Sequence, residues 1–161
     1  MKYTAKGEHH RNFELFDENN NSLGMIGYDG WFSMKVKITQ GSSQYSIESA
    51  NFWHTELEVK KGDDIAATIK FGWGGMTIDY QGKTYKFKTG MWQNKYTLSA
   101  ETDHSIITLK PDFQWTKFSF NYEIETDDNY TEGKSALLIL ILIYCCNYMQ
   151  GMAGAVAGRA V

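Results

Sequence analysis

The sequence predicts a mainly β protein: a single closed antiparallel barrel of about twelve strands around a C-terminal hydrophobic helix. Three observations predict it. Short segments with a two-residue apolar repeat recur from the N-terminus to Glu125. Turn-forming residues separate them at short intervals. One long uncharged apolar run follows, beginning at Ala136.

The strands come first. Phe32, Met34, Val36 and Ile38 share one face of a segment whose other face is Ser33, Lys35 and Lys37. Met76, Ile78 and Tyr80 alternate with Thr77 and Asp79, and Tyr85 and Phe87 with Lys86 and Lys88. Phe118, Phe120, Tyr122 and Ile124 oppose Ser119, Asn121, Glu123 and Glu125. Period two marks strands with one buried and one wet face. Strands are expected near 2–6, 12–16, 24–28, 31–39, 44–49, 51–59, 65–71, 75–80, 83–88, 95–101, 104–109 and 115–125. Turns are expected at Glu18–Ser22, Asp29-Gly30, Gly41–Ser43, Lys61–Asp64, Gln81-Gly82, Thr102-Asp103 and Pro111-Asp112. Such short connections join antiparallel neighbours. Nothing before residue 134 reads as a helix.

The helix comes last. Ala136 to Cys146 is unbroken apolar, and no charge occurs from Ala136 to Gly158. Ser135 stands where a cap is needed, with Glu132 near the N-terminus of the helix. The helix is expected over 135–150, followed by a loose Gly/Ala-rich tail over 151–161. A helix apolar on every side must be surrounded, by lipid or by protein. An eight-stranded barrel holds only its own side chains. A can of about eleven strands is wide enough for a central helix. Residues 1–161 therefore read as one domain, with 1–133 supplying the strands.

The strands from Trp31 to Glu125, followed by Ser135-Ala136-Leu137-Leu138-Ile139-Leu140-Ile141-Leu142-Ile143-Tyr144, resemble the tubby-like superfamily. That group includes the tubby C-terminal domain, the LURP-one-related proteins and the phospholipid scramblases. The resemblance covers nearly the whole chain, as architecture rather than motif. It implies a helix threaded through the barrel and contact with membrane lipids.

Charge and cysteine usage exclude several classes. The chain has net charge −3, and after Glu132 the only charges are Lys134 and Arg159. Residues 1–133 thus carry 14 basic and 19 acidic groups, net −5. An acidic domain is a poor binder of nucleic acid, whose phosphates need a basic face. Cys145 and Cys146 are adjacent in the apolar run, which offers no disulfide framework. The N-terminus lacks the apolar stretch of a signal peptide. Both features predict a cytoplasmic protein.

The candidate motifs are incomplete. Gly82-Lys83-Thr84 and Gly133-Lys134-Ser135 each match the end of a phosphate-binding loop, but the required earlier Gly is Thr77 or Asp128. Asp17 to Ser22 opens like a calcium loop, yet its sixth position is Ser22 and its twelfth is Tyr28. A polar hairpin tip is the expected structure. His9, His10, His54 and His104 have no metal spacing, and the cysteines read as packing groups. Trp53-His54 and Trp73-Gly74-Gly75 read as barrel corners.

One basic patch remains. Lys83, Lys86, Lys88 and Lys95 flank a hairpin that also carries Met91 and Trp92. Edge protection is one reading of such lysines. The other is an anionic lipid headgroup site formed by Lys83, Lys86, Lys88, Trp92 and Lys95, with Trp92 at the membrane interface. The expected function is a non-enzymatic binding module for anionic membrane lipid or a protein partner, membrane-associated, with no cofactor, metal or nucleic acid. Two alternatives stand beside it: a tail-anchored protein whose helix spans the bilayer, and a lipocalin-like carrier with no helix inside.

Overall fold

The computed structural model describes the backbone of residues 1–8, 12–28, 35–90, 94–116 and 119–159. Twelve strands form a closed barrel in the order β1-β12-β11-β10-β9-β8-β7-β6-β5-β4-β3-β2, every neighbouring pair antiparallel. They are β1 Lys2–Glu8, β2 Asn12–Phe16, β3 Ser22–Tyr28, β4 Val36–Gln40, β5 Ser43–Ser49 and β6 Glu56–Lys61. The second half is β7 Asp64–Gly72, β8 Gly75–Tyr80, β9 Lys83–Gly90, β10 Lys95–Ser99, β11 Ser105–Gln114 and β12 Ser119–Thr126. Chain order equals spatial order, as short reversals dictate. The alternation fixes the facing: Ile38, Ile78, Phe87 and Tyr122 are fully buried, while Lys86 and Lys88 point out to solvent.

Helix α1 runs from Ala136 to Arg159 and threads the barrel. Leu138 through Ile143 are each 0% exposed, so every face of these turns is covered by the wall. The tail-anchor alternative needs lipid around this segment; the strands occupy that position instead. Among the described residues no helix is long and apolar enough to cross a membrane. The open lumen of the lipocalin-like alternative is likewise filled. Ser135 caps the helix as expected, its Oγ accepting from the Leu138 N–H at 3.3 Å. The helix lies against β3 and β4. Gly24 permits that approach, because a Cβ there would meet Thr39 O at 2.7 Å and Leu140 Cδ1 at 2.8 Å.

Four expectations give way. The strand expected over 51–59 begins at Glu56, because Asn51 ties its own segment into a turn: its Oδ1 accepts from the Thr55 N–H at 3.0 Å and its carbonyl from the His54 N–H at 3.3 Å. The turn expected at Pro111-Asp112 lies inside β11, where Pro111 pairs with Tyr122. β10 stops pairing at Tyr96 opposite Leu109, so one flank of β11 is unpaired there and a residue without an N–H is tolerated. A 3-10 turn, Thr131–Lys134, precedes the long helix. The helix also continues past residue 150 to Arg159. The first part of the strand expected over 31–39 lies outside the described residues, as does the turn expected at Asp29-Gly30.

Candidate functional site

Because the strands alternate in direction, every connection leaves from one of two ends. The helix enters at the end holding 17–21, 62–63, 81–82, 100–104 and 127–135. These segments carry Asp17, Glu18, Asp63, Glu101, Asp103, Asp127, Asp128 and Glu132. Many of their polar groups are tied down. The Asn21 side-chain amide donates to Asp17 Oδ2 at 2.9 Å, and the Asn21 and Asn19 backbone N–H groups donate to Oδ1 at 2.8 and 2.9 Å; together they hold its carboxyl below the usual range. The calcium-like loop is therefore a hairpin tip that spends its carboxylate on its own backbone. Asp127 meets His104 Nε2 at 2.7 Å, and the His104 ring stacks on Tyr130. Glu132 binds Lys83 Nζ at 2.5 Å and accepts from the Tyr85 hydroxyl at 3.1 Å. The Lys83 ammonium is the main reason that its carboxyl titrates at about 2. This end is closed by polar partners.

The opposite end is different. Its described connections, 50–55, 73–74 and 115–116, carry no acidic residue. Phe52 is 85% exposed, Trp53 79%, Trp73 108% and Trp115 77%. No other aromatic side chain among the described residues is so exposed. Phe52 and Trp53 pack edge to face at 5.5 Å. Trp115 stands at the tip of the two-stranded extension of β11 and β12, its ring edge-on to Phe113 at 4.8 Å. The sequence reading of Trp53 and Trp73 as barrel corners is right for their place in the chain. It missed that their rings face water, and it missed Phe52 and Trp115.

Here α1 leaves the lumen, and its last enclosed turns are wired to the wall. The Tyr122 hydroxyl donates to Asn147 Oδ1 at 2.6 Å, and Asn147 Nδ2 donates to the Tyr28 hydroxyl at 3.1 Å. Burial pushes the Tyr28 hydroxyl up to about 12. Tyr148 stacks on Phe71 at 4.7 Å. Between Tyr148, Met149 and the rim lies a groove of about 600 Å3.

The lysines named from the sequence separate along β9 and β10. Lys83 is at the acidic end, committed to Glu132. Lys86 sits midway along the outer wall. Lys88 and Lys95 approach the aromatic end, since Lys95 pairs with Gly90 and Lys88 with Thr97. Lys86, Lys88 and Lys95 form no ion pair among the described residues. Trp92 and Met91 lie outside the described residues. Cys145 and Cys146 are fully buried in α1, and desolvation pushes both thiols well above their ordinary value.

No protein-family model matches the chain, and no curated protein matches it. A crystal structure of a protein from Arabidopsis thaliana is similar to it over 89% of this chain and 91% of the plant chain. The TM-score is 0.55 and the identity 16%, a likeness of fold alone.

Proposed function

We propose that this chain is a non-enzymatic binding module of the tubby-like superfamily that settles on an anionic, cytoplasm-facing membrane surface by its aromatic end. One observation carries the reading. The four most exposed rings among the described residues share one end of the barrel, and its described connections lack acids, while acids crowd the other. Large rings in water are unfavourable, and tryptophan prefers the bilayer interface, where its body is shielded and its N–H stays wet. Lys88 and Lys95 add attraction to acidic headgroups, about 1 kcal/mol for each lysine near the surface. The acidic end is repelled by the same field, so the charge distribution orients the barrel. The closed barrel around a C-terminal helix supports placement with the tubby-like proteins. Buried thiols of raised pKa suit packing rather than catalysis.

Vesicles of phosphatidylcholine with and without phosphatidylserine test this. The protein should pellet with the serine-containing vesicles, with a blue shift of its tryptophan emission. The combined Trp53→Ala, Trp73→Ala and Trp115→Ala variant should lose pelleting while keeping its melting curve. Failure of the unaltered protein to bind acidic vesicles at low salt sinks the membrane reading. A soluble protein held by the same rings would then take its place.

A further inference from the structure

The groove beside the emerging helix is small, apolar and bordered by lysines that form no ion pair among the described residues. Tyr148 and Met149 of α1 form its floor, with Phe71 stacked on Tyr148. Met76 and Tyr96 form the inner wall. Gly72, Gly74 and Gly75 leave the β7–β8 side low, and nothing lies within 4 Å of where a Cβ on Gly74 would stand. Among the described residues no Lys, Arg, Asp or Glu lines it, and His54 is its one titratable lining residue besides the tyrosines. Its volume of about 600 Å3 falls in the range of about 300–1,000 Å3 usual for small-molecule sites. The lumen itself is filled by α1, so an apolar guest cannot pass into the barrel, and the groove offers it a place at this end. Lys88 borders it, because its Cγ lies 3.3 Å from the Cβ position of Gly75, a lining residue. Lys95 precedes the lining residue Tyr96 and points outward beside Lys88. An apolar slot with two cations at its lip, neither ion-paired among the described residues, complements a guest with one hydrocarbon chain and one anionic head.

We propose that this groove binds a single hydrocarbon chain of an anionic amphiphile, with the chain along Tyr148 and Met149 and the head at Lys88 and Lys95. The inference rests on the reading of this end as the membrane-facing one, and it adds a one-to-one site to that surface. Two sources share the chemistry: a free fatty acid and an acidic lipid of the bilayer.

Calorimetric titration of the full chain with fatty acids of increasing length, each kept below its micelle concentration, tests the site. Binding should be one to one. Affinity should rise about fourfold with each added methylene until the groove is full, then level off. The alcohol of equal length should bind more weakly, and Lys88→Glu with Lys95→Glu should erase that preference. Thr89→Trp, which fills the groove from an exposed position on β9, should lower dodecanoate affinity at least tenfold. Met149→Glu should do the same by placing a carboxylate on the floor. Dodecanoate binding with lysophosphatidylserine excluded makes a free fatty acid the guest, and the reverse makes it a lipid. No one-to-one binding of either probe overturns the inference, as does binding indifferent to both groove variants. The membrane reading is scored separately. Acidic vesicles should still bind the Thr89→Trp protein, and vesicle binding without dodecanoate binding removes the groove alone.

Discussion

The two ends of the barrel share a wall, a helix and a fold, yet they solve opposite problems. At the acidic end Glu132, Asp127 and Asp17 each hold partners within hydrogen-bond reach, and the helix is capped as it enters. At the aromatic end four large rings face water. Satisfied polar groups stabilise, while exposed rings contribute little to a fold and are costly to leave uncovered. The difference teaches where selection for folding and selection for contact act on the same short strands. Substitutions at the closed end should change stability and leave binding alone, and those at the open end should do the reverse.

The largest effect comes from removing what both ends share. Deleting 134–161 strips the lumen of Leu137 to Cys146, all buried. Each such side chain contributes about 1.5–3 kcal/mol of burial, and the inward faces of twelve strands lose their packing partner. The truncated chain should show no cooperative melt and no native β circular dichroism. A truncated protein with a sharp melt would mean that the wall stands without its helix, and the helix would then be free for another use.

Next is the closing contact of the acidic end. Glu132 is held at about 2 by Lys83 against an ordinary value of 4.5. A carboxyl lowered in the folded state stabilises above its unfolded value, and that stability fades as pH falls from 4.5 toward about 2. Lys83 is 66% exposed, so the contact contributes about 1 kcal/mol rather than the full shift. Lys83→Met should lower the melting temperature by a few degrees at pH 7 and by progressively less as pH drops through that window. An equal loss at pH 7 and at pH 2 would show that the pair does not carry the effect. Vesicle binding should not change, because Lys83 is about 13 Å below Lys88 along a tilted strand, beyond the Debye length of about 8 Å.

These residues also show what a sequence can carry. Period two placed Ile38, Ile78, Phe87 and Tyr122 on the inner face correctly, because a one-residue slip would turn each of them to water. The apolar run after Ser135 announced a surrounded helix, and the count of strands made a protein shell possible while a membrane span stayed open as the alternative. Pro111 misled because its tolerance depends on β10 pairing no further than Leu109, two residues before it, a tertiary fact. The candidate site was half legible. Lysines on β9 and β10 stand out in one dimension, but Lys83 and Lys88 are similar in sequence and separate only once Glu132 folds back on one of them. The rings of Trp53, Trp73 and Trp115 are far apart in the chain and share one end only because the strands alternate in direction. Among the described residues, Trp53, Trp73 and Trp115 all fall between strands, none within one.

The smallest effect is also the sharpest test, because it compares neighbours on one strand. Lys86 and Lys88 both face outward on β9 and neither has an ion-pair partner among the described residues. They differ in height by two residues, about 5 Å in a strand tilted by about 40°. If the aromatic end meets the membrane, Lys88 is nearer the headgroups. Reversing a charge there costs about 2 kcal/mol, roughly thirtyfold in vesicle affinity at physiological salt. Screening over about 5 Å halves the effect for Lys86, leaving roughly fivefold. Both variants should melt with the unaltered protein, since exposed substitutions clear of a partner stay within about 0.5 kcal/mol. Parallel pelleting of Lys86→Glu and Lys88→Glu with phosphatidylserine vesicles reads the difference. Equal losses would mean that the barrel lies on its side, with β9 rather than its end against the bilayer. A greater loss for Lys86 would turn the molecule over and give the membrane to the acidic end, against the charge argument made from Asp127, Asp128 and Glu132.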